Sequence, residues 1–172
     1  MTSPLESVLR EIERHVADKG WDQPPRLFAL APTRDLVRRE PALAEAMGLD
    51  PDSSVWTPIE QDPLDPDRPL DEALAAITWP DDVAGAALVL ERLVLPPSAE
   101  AALPDDGSDA EVVTAAAQHP QRQEVRMAVA AVREGGHMCA LRLRTHDQDE
   151  AVVVGADLVP RLAEAIGATL SD

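Results

Sequence analysis

The stretch from residue 122 to 145, RQEVRMAVAAVREGGHMCALRLRT, constrains this chain more than any other. Two runs of alternating apolar residues flank the pair Gly135-Gly136, and glycine tolerates the positive φ angles of a tight turn. The pattern predicts a β-hairpin. In its first strand Val125, Met127, Val129 and Ala131 share one face, with Glu124, Arg126, Ala128, Ala130 and Val132 on the other. In the second, Cys139, Leu141 and Leu143 oppose Met138, Ala140, Arg142 and Arg144. The first set in each strand predicts a core face, and the second a face that turns polar away from the turn.

The preceding chain supplies partners for that hairpin. Residues 84–95 (AGAALVLERLVL) are almost continuously apolar and end at Pro96-Pro97, as expected of a central strand covered on both faces. Residues 26–31 (RLFALA) read as a short buried strand, and residues 54–61 as an edge strand, because Pro58 cannot donate to a ladder. Ser3 and Glu6 form a capping box with Pro4 at the first helical position. They open a helix from about 4 to 19 that buries Leu5, Val8, Leu9, Ile12 and Val16 and carries Arg10, Glu11, Glu13 and Arg14 outside. Further helices are expected after a Thr33 cap, over 42–47 up to Gly48, around Leu70 and Leu74, from a Ser108/Glu111 capping box to Pro120, and from an Asp157 cap to Leu170. No internal repeat or second composition regime appears. The expectation is one α+β domain over residues 1–172, in two layers. It has a mainly antiparallel sheet of about five strands with helices on one main face, ending in a β-hairpin and a helix.

Charge narrows the function. The chain carries a net −17, which repels phosphate backbones and anionic lipid, so neither nucleic acid nor a membrane is the expected partner. No apolar run approaches the roughly 20 residues that span a bilayer. The first fifteen residues lack an apolar core, so no signal peptide is expected and the expected location is cytoplasmic. Against this background residues 119–146 hold five Arg and two Glu.

Those arginines have two readings. Arg126, Arg142 and Arg144 can pair with Glu91, Glu124 and acidic loops, giving a wet sheet face of crossed ion pairs. Alternatively, Arg92, Arg126, Arg142 and Arg144 with Glu124 form a site for an anion or for an acidic partner. Other chemistry is sparse. His137-x-Cys139 places two metal-ligand types on one strand face without a second pair, and a zinc site needs three or four ligands. The Asp-rich runs at 62–67, 105–109 and 147–150 lack the full calcium-loop pattern. No nucleophile elbow, dinucleotide fingerprint or P-loop is present. No catalytic residue, metal or cofactor is therefore expected. The leading expectation is a non-enzymatic interaction module binding a protein partner or a second copy of itself. The alternative is a small-anion or metabolite-binding domain, with an enzyme as its extension.

WDQPPRLFAL, LERLVLPP, HPQRQEVR with ALRLR, and the closing GADLVPRL together resemble a family of small uncharacterised actinobacterial proteins, over nearly the whole chain. The resemblance implies a cytoplasmic single-domain protein and transfers no activity or site residue.

Overall fold

The computed structural model describes residues 3–50, 52, 55–62, 64, 67–94 and 123–170. Helix α1 (Pro4–Ala17) starts where Ser3 accepts a hydrogen bond from the Glu6 amide at 3.1 Å. It leads through Gly20, whose φ is +85°, into strand β1 (Arg26–Pro32). Helices α2 (Thr33–Arg39) and α3 (Pro41–Met47) follow, broken at Glu40 as expected of a residue before proline. Gly48 closes α3 in the left-handed conformation. Strand β2 (Trp56–Glu60), helix α4 (Leu70–Ala75) and strand β3 (Gly85–Val94) come next. The hairpin is β4 (Gln123–Val132) and β5 (His137–Leu143). A short strand β6 (Val153–Gly155) and helix α5 (Pro160–Ala168) complete the described chain.

The six strands form one antiparallel sheet in the order β2-β1-β3-β4-β5-β6. β3 and β4 sit at its centre, paired from Gly85↔Val132 to Val94↔Gln123. β2 is an edge among the described strands, where Pro58 has no strand neighbour on its outer side and its missing N–H does no harm. The α+β class, the hairpin, the central β3 and the edge β2 agree with the sequence pattern.

The layering is richer than the pattern implied. α1 lays Leu9, Ile12 and Val16 on Phe28, Leu30, Val89, Ala128 and Ala140 of one sheet face. α4 and α5 lay Leu74, Leu162 and Ile166 on Leu88, Leu90, Val129 and Cys139 of the other. Both faces of the hairpin are therefore core, and the domain has helices on both sides rather than on one main face. Alanines at 86, 87, 128, 130, 131 and 140 are buried throughout the sheet centre. With no side chain beyond Cβ, they let helix side chains reach the strands from either side.

Three local expectations change. β6 is a sixth strand that three residues could not announce by alternation. Thr33 does not cap α2; it is that helix's first residue, and its buried hydroxyl pairs with that of Thr57 at 2.8 Å. α5 begins at Pro160 with Val159 as cap residue, and Asp157 instead lies 3.6 Å from His137. The helix expected from Ser108 lies outside the described residues.

Candidate functional site

Alternation along β4 and β5 places Arg126 and Arg142 on the same face as Ala128 and Ala140, beneath α1. That face was expected to be wet, yet Arg126 is 0% and Arg142 3% exposed. Arg142 makes a bidentate pair with Glu13 of α1 at 2.6 and 2.8 Å. It also donates to Asp147 at 2.9 Å and to Asp149 at 2.6 Å. Glu13, assigned by the sequence pattern to the outer helix face, is 2% exposed. Its position was legible: it follows Leu9 by four and precedes Val16 by three, so it belongs to the inward stripe.

Arg126 donates to Glu91 at 3.2 Å and to the Gly20 carbonyl, and it stacks 4.4 Å from the centre of the Trp21 ring. Its Nε and Nη1 are buried without a hydrogen-bond partner among the described residues. Arg144 donates to Asp22 at 3.0 Å and to Glu124 at 2.7 Å, on the rim of the same tryptophan. The Trp21 indole donates to Asp147 at 3.0 Å, and Glu91 accepts the amides of Asp22 and Gln23. The α1–β1 connection is thus laced to the sheet by charge.

The electrostatics follow from these contacts. The Glu13 hydrogen bonds, aided by Asp149 and Asp147 and opposed by burial, hold the Arg142 guanidinium protonated above its usual range. Asp22 and Glu124 raise Arg144 in the same sense. The Trp21 indole, with Arg142, lowers Asp147 below the usual carboxylate range against a desolvation penalty. Cations and carboxylates thus hold one another in place across this face.

Arg92 does not join the other three arginines. It shares the alternation of Leu88 and Leu90 and so faces α4 and α5. There it borders a cavity of about 500 Å³ floored by Leu74, Met127 and Leu162, with Arg161 at its edge. A second cavity of about 410 Å³ shares Leu70 and Arg92 with the first and is edged by Arg68. Together they form one groove across the end of the sheet.

The pairing of the arginines separates the two regions. Arg10, Arg14, Arg26, Arg38, Arg39, Arg126, Arg142 and Arg144 each face a carboxylate. Arg133 donates to the carbonyls of Val83, Leu170, Trp79 and Pro80. Arg122 lies outside the described residues. The side chains of Arg34, Arg68, Arg92 and Arg161 have no ion pair or hydrogen bond to the described residues, and all but Arg34 edge the groove. Neither Arg68 nor Arg161 stands out in sequence, because α4 and α5 bring them to Arg92 only in the fold.

A further cavity of about 460 Å³ lies between the hairpin turn and α5, lined by His137, Asp157, Glu164 and Gly167. Among the described residues no group of three His, Cys, Asp or Glu side chains is placed to hold a metal ion. The buried Cys139 thiol donates to the Ala156 carbonyl at 3.5 Å, as a packed thiol does. No described helix is long and apolar enough to cross a membrane.

The fold and these two charged regions define an α+β domain on an open antiparallel sheet, with a structural ion-pair lattice on one face and an arginine-edged groove on the other. The chain belongs to the PPA1309-like protein family, an uncharacterised family whose model matches residues 5–171. No curated protein and no solved structure matches it.

Proposed function

We propose that this protein is a non-enzymatic binding domain of the actinobacterial cytoplasm, and that its binding surface is the groove edged by Arg68, Arg92 and Arg161. The observation that carries the reading is the sorting of the arginines. Nearly every other described guanidinium has a carboxylate or carbonyl partner, while these three have no such partner among the described residues and stand around one apolar depression in a chain of net charge −17. An exposed guanidinium is solvated by water in the free protein and exchanges that water for an anionic partner at little cost.

The alternative placement, on Arg126, Arg142, Arg144 and Glu124, is disfavoured on physical grounds. Its anions would have to displace Glu13, Glu91, Glu124, Asp22, Asp147 and Asp149, and two of the three guanidiniums lie under α1. Interaction through an open sheet face is disfavoured for the same reason, since helices cover both faces. Arg92 alone of the anticipated residues passes into the proposed surface.

Arginine footprinting tests this reading without knowing the ligand. Phenylglyoxal is applied to the protein in cell lysate and again after purification and dialysis. Protection of Arg68, Arg92 and Arg161 in the lysate, lost on purification, is the expected result, with Arg34 modified equally in both. Equal modification of all four arginines in both samples would overturn it. Protection that persists in the purified protein and grows with its concentration would point to a second copy of the chain as the partner.

A further inference from the structure

Resting on the reading that the groove binds, we infer that its ligand is a small amphipathic carboxylate: one anionic head on an apolar body. Four observations converge on that class. First, the floor of the larger cavity is hydrocarbon and thioether, from Leu74, Met127, Leu162 and Ala165, which favours an apolar body. Met127 is the adaptable member, with an unbranched side chain that fits irregular shapes.

Second, Arg92 and Arg161, whose side chains have no partner among the described residues, stand at the edge of that floor. A guanidinium presents parallel N–H donors that match a carboxylate in bidentate geometry. Third, the volume of about 500 Å³ lies within the range of small-molecule pockets, and a folded partner would not enter it.

Fourth, charge limits the head group. Asp71 lines the same cavity, and the chain around it is strongly acidic. A monoanion meets less of that repulsion than a phosphate dianion or a polyanionic surface does. The groove therefore selects one carboxylate carried on an apolar body. The apolar contact supplies affinity and the arginines fix the orientation.

The test uses the full chain and three probes that share parts. Decanoate has both head and tail, acetate has the head alone, and decyltrimethylammonium has the tail with the opposite charge. Methionine methyl NMR reports directly, because Met127 lies in the groove while Met47 lines a separate cavity beside Gly48 and Pro58. Decanoate is expected to shift Met127 saturably and leave Met47 in place, with little response to acetate or to the cation. The double variant Arg92→Ala with Arg161→Ala should weaken decanoate binding at least about tenfold at unchanged Tm, since neither side chain has a partner to lose among the described residues; tenfold corresponds to about 1.4 kcal/mol. Arg34→Ala should bind as the parent does.

Equal shifts with decanoate and decyltrimethylammonium would overturn the carboxylate assignment, as would no Met127 shift with decanoate. If the arginine footprint in lysate persists beside such a result, the groove binds something of another class. If the footprint is also missing, the groove reading itself falls.

Discussion

Arg142 at the end of β5 and Glu13 in the third turn of α1 close a bidentate ion pair at 2.6 and 2.8 Å, with both side chains almost wholly buried. The pair joins helix to sheet across 129 residues of sequence; removing Arg142 strands the Glu13 carboxylate, whereas removing Glu13 leaves Arg142 with Asp147 and Asp149. Arg142→Ala is expected to cost about 3–5 kcal/mol in urea unfolding, and Glu13→Ala less, because Arg142 keeps its other two carboxylates. Replacing both, as Glu13→Leu with Arg142→Met, should recover most of that loss, because the desolvation penalty goes with the charges. Single-variant losses below about 1 kcal/mol would mean that water reaches the pair in solution.

Acid should loosen the same corner. The folded-state pKa of Asp147 lies below its ordinary 3.8, chiefly through the Trp21 indole. A depressed carboxylate contributes stability that is fully present above the unfolded pKa and is lost as pH falls through the folded one. The parent should therefore lose stability more steeply than Asp147→Asn below about pH 4, where the unfolded carboxylate begins to take up its proton. Parallel Tm curves for the two proteins from pH 5 to about pH 2 would contradict this.

Gly85 and Gly136 should respond oppositely to alanine. A Cβ at Gly85 would lie 2.5 Å from the Ala131 carbonyl oxygen and 2.9 Å from a Val132 methyl, at the start of the central strand pair. Backbone must move to admit it, so Gly85→Ala should cost about 1–3 kcal/mol. At Gly136 the nearest atom is a Val132 methyl at 3.5 Å and φ is not positive, so alanine should change stability by less than about 0.5 kcal/mol. Gly135, with φ +104°, is the turn residue that needs glycine. Chemical denaturation of the two alanine variants separates the cases.

Core position sets the cost of truncation. Leu88 is fully buried at the sheet centre against α5, and Leu88→Ala should cost about 2–5 kcal/mol. Leu141 is half-buried opposite Val153 of the short β6, and Leu141→Ala should cost distinctly less. A larger loss at Leu141 would show that β6 and its surroundings cover more than the fold indicates.

Much of this architecture was legible because it rests on local rules. Gly135-Gly136 between alternating runs announced the hairpin, Pro58 announced an edge, and the almost continuous apolar run at 84–95 announced a strand covered twice. The same covering implies helices on both faces, although the arginines of β4 and β5 point, in sequence alone, to a wet side. Arg126 and Arg142 sit inside because α1 brings Glu13, and the α1–β1 connection brings Trp21, to meet them. No spacing within the hairpin encodes those partners. The groove was less legible still. Arg68, Arg92 and Arg161 come from a loop, a strand and a helix that only the tertiary fold assembles, and sequence cannot show which arginines remain unpaired.

On the proposed reading the arginines divide into a structural set under α1 and a binding set around the groove. The most direct measurement is ¹⁵N-resolved NMR of the arginine Nε–H groups, with and without decanoate. Arg126 and Arg142 should exchange slowly with water and stay unmoved by the ligand, while Arg92 and Arg161 exchange fast in the free protein and shift on titration. Shifts at Arg126, Arg142 or Arg144 with Arg92 and Arg161 unchanged would contradict it.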